Sequence, residues 1–194
     1  MLRVGITGGI GSGKSTVCKI ISAMGYPVYN ADIEAKKLTN QNPEIVRGVS
    51  TLFGKDIYVN GELDRKRVGQ LVFANKDLLE QLNSIIHPVV SAHFEEWIKK
   101  NSNHTLLFKE AAILFESGAY KQVDRSIVVW AHNSLRIERV CKRDGVSEEE
   151  VKQRISNQMP QEQLVKRADY VINNNEDTLL TTQVVELIDK LLND

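Results

Sequence analysis

Cysteine is scarce in this chain of 194 residues: there are two, Cys18 and Cys141. They stand far apart in sequence and match no metal-ligand spacing, which suits a reducing compartment. Cys18 reads as a packing residue of a helix. Long uncharged apolar runs are also missing, so no segment approaches a membrane span. Neither sign of charge is in excess, with 25 Lys plus Arg against 25 Asp plus Glu. No strong global field therefore draws the chain to nucleic acid or to anionic lipid, and any basic site must be local. Low-complexity tracts and internal repeats are absent, and a composition of 42% hydrophobic and 26% charged residues excludes disorder. A chain of this length can bury a substantial core and lies near the upper end of one compact domain. One core with inserted subdomains is expected.

Chemistry is concentrated near the start. Leu2-Arg3-Val4-Gly5-Ile6-Thr7 reads as a strand, and Gly8-Gly9-Ile10-Gly11-Ser12-Gly13-Lys14-Ser15, with Thr16 behind it, leads straight into a helical pattern. This is a P-loop. Its glycines let the backbone curl so that successive N–H groups point at one spot, the following helix adds its positive N-terminal end, and Lys14 brings a full charge for phosphate. The hydroxyl of Ser15 suits a magnesium ion. The expected ligand is a nucleoside triphosphate, held by Gly11, Ser12, Gly13, Lys14, Ser15 and Thr16. The loop begins within the first ten residues, so no signal peptide and a cytoplasmic location are expected.

Downstream, residues 15–24 place Val17, Ile20, Ile21 and Met24 on one helical face, with Gly25 and Pro27 as stop signals. Tyr26 to Asn30 reads as a second strand, followed by Ala31-Asp32 and a helix from Ile33. Asn42-Pro43-Glu44 is an N-cap with proline in the first helical position, and Gly54 closes that helix. Asn60-Gly61 marks a turn, and Asp64 caps the next helical segment. Helical period continues from Asp77, with His87-Pro88 expected to interrupt it before Val89 resumes. Phe94 and Trp97 share an apolar stripe that reads as core. Strand patterns return at Thr105 to Phe108, ending in Lys109-Glu110, and at Ser126 to Trp130. Helical, charge-rich sequence from Asn133 to Arg167 carries a turn at Asp144-Gly145 and a helix start at Ser147. A last strand at Asp169 to Ile172 and an amphipathic helix from Thr178 to Leu192 close the chain. Strands alternating with helices predict an α/β fold, a parallel sheet covered on both faces. The divisions expected are a P-loop core at 1–30, 104–132 and 166–194, a helical substrate domain at 31–103, and a lid at 133–165.

A P-loop alone leaves the reaction open. No aspartate here is followed by glycine at the third place, and Asn75-Lys76-Asp77 falls one residue short of a guanine-reading motif, which argues against a GTPase. The short chain with helical insertions favours a small-molecule kinase. The segments Thr7 to Thr16, Ala31-Asp32, Asn60 to Arg65 with Val72-Phe73, His87-Pro88, Leu114-Phe-Glu116, Arg143-Asp-Gly145 and Asp169 to Asn173 together resemble the dephospho-CoA kinase family along nearly the whole chain. The resemblance implies a P-loop kinase of the nucleoside and nucleotide kinase type. It implies transfer of the γ-phosphoryl group of ATP to the ribose 3′-hydroxyl of dephospho-CoA, with Mg2+. No nucleic-acid, membrane or obligate protein partner is expected. A nucleoside or nucleotide kinase of the same fold and a regulatory ATP-binding module are the alternatives.

Phosphoryl transfer needs positioning and charge neutralisation. A ribose hydroxyl also wants a carboxylate to orient it and take its proton. Asp32 is open between a helix N-cap and that base, and the resemblance places the base there. Its family pattern is Asp-Ala-Asp, where this chain has Asn30 at the first position. Glu110 ends a strand and is open between a solvated charge and a carboxylate ordering the magnesium water shell. Family members tend to read Asp-x-Pro-Leu-Leu-x-Glu here, against Glu110-Ala-Ala-Ile-Leu-Phe-Glu116. Arg136, Arg139 and Arg143 share a helical face that is either solvated or a lid facing ATP, and the resemblance assigns Arg139 and Arg143 as catalytic cations. It also places Arg154 and Gln158 in the lid, and Arg65 and His87 as groups that grip dephospho-CoA. Asn173 and Asn174 are open between a plain turn and the wall of an adenine pocket.

Overall fold

The computed structural model describes residues 1–73 and 75–193. Ala74 and Asp194, which fall within the predicted substrate domain and core, lie outside the described residues. In chain order the elements are β1 (Leu2–Thr7), α1 (Lys14–Ala23), β2 (Val28–Asn30), α2 (Ala31–Gln41), α3 (Pro43–Phe53), β3 (Tyr58–Val59), β4 (Glu62–Leu63), α4 (Arg65–Phe73), α5 (Lys76–Lys100), β5 (Leu106–Glu110), β6 (Arg125–Trp130), α6 (Asn133–Asp144), α7 (Glu148–Ser156), α8 (Gln161–Arg167), β7 (Tyr170–Asn173) and α9 (Leu180–Asn193). The chain divides into two compact units, 1–30 with 101–194, and 31–100.

The larger unit is built on a five-stranded sheet of order β2-β5-β1-β6-β7. Every pairing in it is parallel. Buried apolar runs make such a sheet, because helices cover both of its faces. Val4, Ile6, Leu106, Phe108, Ile127, Val129 and Ile172 join Val17 and Ile21 of α1 and Val184, Leu187, Ile188 and Leu191 of α9 in one core. Val128 points the other way, to Phe115 and to Leu164 of α8. Each fully buried side chain of this size contributes about 1.5–3 kcal/mol. The register sets Ile6 and Asn30 beside Glu110, and Trp130 beside Asn173, so the carboxyl ends of the strands form one edge. The direction in which successive strands are added across the sheet switches at β1, which has β5 on one side and β6 on the other. In open parallel sheets a crevice forms at that point.

The smaller unit is helical, with its own core of Ile45, Val49, Ile57, Leu63, Val68 and Leu82. Its starts and stops follow local chemistry. Asn42 Oδ1 accepts from the Glu44 and Ile45 N–H groups at 2.9 and 3.1 Å, and Gly54 ends α3 at φ 94°. Asp64 Oδ1 accepts from Arg67 N at 3.0 Å, capping α4. The Asn60-Gly61 turn, with φ 52° and 82°, joins β3 to β4 as an antiparallel hairpin.

The predicted interruption at His87-Pro88 does not occur: α5 runs unbroken from Lys76 to Lys100 with Pro88 inside it. A helix-interior proline costs about 3 kcal/mol. Leu82, Ile85 and Ile86 before it and Val89 after it all pack into the same cluster, which outweighs that cost. Tertiary packing overrides the local signal. Among the described residues, no helix is long and apolar enough to cross a membrane.

Candidate active site

The P-loop follows β1 at the sheet's carboxyl edge and ends in α1, whose N-cap is Gly13 at φ 94°. Lys14 and Ser15 therefore occupy the first two helical positions, where amide donors and the helix dipole favour an anion. Ser12 N donates back to Gly9 O at 3.1 Å and Thr16 N to Gly13 O at 3.0 Å, which tightens the loop. Lys14 Nζ donates to Gly8 O at 2.7 Å and Gly9 O at 3.3 Å, so its ammonium curls over the loop. Ser15 and Thr16 are exposed on the first turn, whereas Ser12 is fully buried. The Ser12 hydroxyl has no hydrogen-bond partner among the described residues. An orphaned buried hydroxyl in a glycine loop is a ready contact for a bound oxyanion.

Two of the loop's glycines are required by their neighbours as well as by their dihedrals. A Cβ on Gly13 would lie 2.1 Å from Asn174 Nδ2, and one on Gly11 (φ 77°) would lie 2.5 Å from the Arg136 carbonyl oxygen. Asn174 Nδ2 donates to Ser12 O at 2.8 Å, and its own backbone N–H donates to Trp130 O at 2.8 Å. The loop is thus pressed from outside by α6 and by the residue that follows β7. For Asn174 the plain-turn alternative is too small: its side chain holds the P-loop.

Glu110 is 7% exposed, so it is not a solvated strand-end charge. Asn30 Nδ2 donates to Glu110 Oε2 at 2.6 Å. The amide at 30 supplies a donor where a second carboxylate would repel, which accounts for how a glutamate fits beside it. Cys18 on α1 is hydrogen-bonded to the same carboxylate. Burial first, and then the charge of Glu110, push the thiol well above its ordinary pKa. Cys18 is buried and free, as its reading as a packing residue expected.

Asp32 is exposed and is the second residue of α2, which starts directly where β2 ends. It lies inside the first turn and is not the N-cap. Its negative charge there suits the helix dipole.

The arginine face is divided among three roles. Arg136 is 2% exposed, contrary to a solvated face; its Nε donates to Ile10 O at 2.9 Å and its Nη1 to Asn133 Oδ1 at 2.8 Å. Burial lowers its pKa. Arg139 Nη2 donates to Asn174 O and to Glu176 Oε1, both at 3.0 Å, and its Nη1 reaches Gly11 O at 3.5 Å. Arg143 is exposed and pairs with Asp144 at 2.7 Å, which raises the guanidinium's pKa and lowers the carboxyl's. Arg154 donates to that same Asp144 at 3.1 Å. Gln158 Oε1 accepts from the Ile10 N–H at 2.8 Å. The contacts of Arg136, Gln158 and Asn174 with the loop span 126, 148 and 162 residues, and no local sequence signal announces them.

Within the helical unit, Arg65 Nη2 donates to Thr39 Oγ1 at 2.6 Å and to Lys36 O at 3.1 Å, joining α4 to α2. His87 is exposed on α5, and partial desolvation lowers its pKa. A cavity of about 600 Å³ opens in this unit, lined by Leu38, Asn42, Ile85, Pro88, Val89 and His93 among others. Neither Arg65 nor His87 lines it.

The dephospho-CoA kinase family model matches residues 2–179. A dephospho-CoA kinase of Chlorobaculum tepidum is 46% identical over 200 residues, covering 98% of this chain and 95% of that protein. Among solved structures, one from Thermus thermophilus superposes with a TM-score of 0.87 at 33% identity, covering 98% of this chain and 97% of the other. The dephospho-CoA kinase of Campylobacter jejuni superposes with a TM-score of 0.71 at 29% identity, covering 97% and 96%. Sequence and fold agree along the whole length, and the chain belongs to the dephospho-CoA kinase family.

Proposed function

We propose that this kinase transfers the γ-phosphoryl group of ATP to the ribose 3′-hydroxyl of dephospho-CoA, giving coenzyme A and ADP, in the cytoplasm. The observation that carries the reading is a P-loop at the switch point of a parallel sheet in a chain matched to the family over residues 2–179. Gly11, Ser12, Gly13, Lys14, Ser15 and Thr16 are the ATP-binding residues, with loop amides and the α1 N-terminus receiving the phosphates. Lys14 exchanges its carbonyl partners for phosphate oxygen, a stronger acceptor.

A hard cation fits the donors present. Ser15 offers a hydroxyl at the first turn, and Glu110 a buried carboxylate held by Asn30. No cluster of three or more His, Cys, Asp or Glu able to hold a metal is present among the described residues. Ser15 would hold Mg2+ and Glu110 would order its water shell, as suits an ion bound by few protein ligands. When bound it neutralises charge on the transferred group.

Asp32 is the proposed base, orienting the ribose hydroxyl and accepting its proton. Residues 31–103 serve as the substrate domain, with Arg65 and His87 gripping the acceptor and an apolar groove taking the pantetheine arm. Residues 133–165 serve as the lid. Arg139 and Arg143 are the catalytic cations, and their action requires Glu176, Asn174 and Asp144 to give up these guanidinium groups when the lid closes.

The test is ADP release with MgATP and dephospho-CoA beside adenosine, AMP, cytidine and a control without acceptor, with mass analysis of product. A product heavier by one phosphoryl group, from dephospho-CoA alone, is expected. ADP release indifferent to dephospho-CoA would overturn the assignment in favour of another kinase or an ATPase module. For the base, Asp32→Asn lowers kcat by about 10²–10⁴-fold with ATP affinity kept. Near-normal turnover would reduce Asp32 to a dipole partner of α2.

A further inference from the structure

The P-loop's tip is fastened at a single residue, through the two peptide units that flank it. Ile10 N donates to Gln158 Oε1 at 2.8 Å, and Ile10 O accepts from Arg136 Nε at 2.9 Å. The two fasteners come from different segments, Arg136 from α6 and Gln158 from the turn after α7. Each is itself fixed. Arg136 is 2% exposed with its Nη1 on Asn133, and Gln158 N donates to Ile155 O at 3.0 Å. The guanidinium also lies against Gly9, where a Cβ would meet Nη2 at 2.1 Å. The Ile10 amide thus points into Gln158, and the loop's curvature on either side follows from that.

A glycine-rich loop has many backbone states, and fixing each residue in one of them costs conformational entropy. Whatever holds Ile10 before ATP arrives removes part of that cost from binding. We propose that Arg136 and Gln158 are positioning residues that set the P-loop conformation through the backbone N–H and C=O of Ile10, coupling its readiness for ATP to the seating of the α6–α8 segment. The proposal rests on the reading of this loop as the ATP site. Neither residue needs to touch nucleotide for it to hold.

The experiment compares Gln158→Met, which keeps the length and loses the acceptor, with Gln158→Glu, which keeps an acceptor oxygen. Amide hydrogen exchange of residues 8–13 in the protein without nucleotide is one readout, and the Kd for a nonhydrolysable MgATP analogue is the other. In Gln158→Met the Ile10 amide exchanges about tenfold faster and the analogue binds about five- to tenfold more weakly, as expected for one lost hydrogen bond. Gln158→Glu restores both to within about twofold of the parent. Raised KM for ATP with a smaller change in kcat accompanies the Met variant. Arg136→Lys, which keeps the charge and one donor, shows the same pattern for exchange of the loop amides. Unchanged loop exchange in Gln158→Met overturns the proposal. So does a Glu variant as weak as the Met variant, because that pattern belongs to a side chain facing the triphosphate directly. The exchange readout needs neither ATP nor acceptor, so its failure is separable from failure of the kinase assignment.

Discussion

Replacing Gly13 by alanine adds one carbon at a position that rejects it twice. The residue sits at φ 94°, and the new Cβ would lie 2.1 Å from Asn174 Nδ2. Left-handed backbone costs an L-residue about 1–2 kcal/mol. Moving Asn174 aside forfeits its 2.8 Å bond to Ser12 O, a loss of about 0.5–1.5 kcal/mol. The stiffer unfolded chain returns about 0.4–1 kcal/mol, leaving a net loss of about 0.5–3 kcal/mol. Gly25 is the control, because it has a similar φ of 88° and nothing within 4 Å of its ideal Cβ. Gly25→Ala carries strain alone, so Gly13→Ala exceeds it by about 0.5–1.5 kcal/mol in urea unfolding. MgATP affinity by calorimetry falls about tenfold in Gly13→Ala and stays within about twofold in Gly25→Ala. In an Asn174→Ala background the excess disappears, since the contact is already gone. A Gly13→Ala variant no less stable than Gly25→Ala, or an excess that survives Asn174→Ala, would refute the steric argument.

Native protein treated with a chromogenic thiol reagent should release one equivalent quickly, from Cys141, and the second only in denaturant, because Cys18 is 6% exposed and its thiolate is disfavoured by burial and by Glu110. Two fast thiols would contradict the Cys18–Glu110 contact. Arg3 holds the Asp124 carboxyl below its ordinary pKa through a 2.6 Å pair. That stabilisation is present above the unfolded value of about 3.9 and is lost as pH falls through the lower folded value. Asp124→Asn should flatten the acid limb of the urea midpoint, by under about 1 kcal/mol because the pair is one-third exposed. Asn42→Ala should lower unfolding free energy by about 1 kcal/mol through loss of the α3 cap, and Asn42→Asp should recover most of it.

Where a structural decision is made within a few residues, the sequence is enough to read it. Asn42-Pro43 and Gly54 bound α3, Asp64 caps α4, and Ser147 Oγ accepts from Glu150 N at 3.3 Å, because each cap is chemistry between near neighbours. The P-loop belongs to the same class, since strand, glycines, Lys14 and helix are consecutive. The turn at Asn60-Gly61 is legible too, as that dipeptide supplies the two positive φ values a tight turn needs, whereas the strands it joins are two residues each, too short to show an alternating pattern.

Pro88 shows where local reading stops. The residue disfavours helix, and the apolar cluster on both sides of it holds the helix anyway. The same holds for charge. Arg136, Arg139 and Arg143 are equivalent by spacing, and only the fold buries the first against Ile10, sets the second on Asn174 and Glu176, and leaves the third to Asp144. Local sequence carries the helices and strands of the sheet-based core, the parallel α/β class, the phosphate loop and, through a pattern spread along the chain, the family. Tertiary structure decided that Glu110 is buried under the Asn30 amide, 80 residues away in the chain. It also decided that the loop's tip is held by Arg136, Gln158 and Asn174. Those choices depend on which distant segments the sheet and its helices bring within hydrogen-bond reach, and no periodicity along the chain encodes that distance.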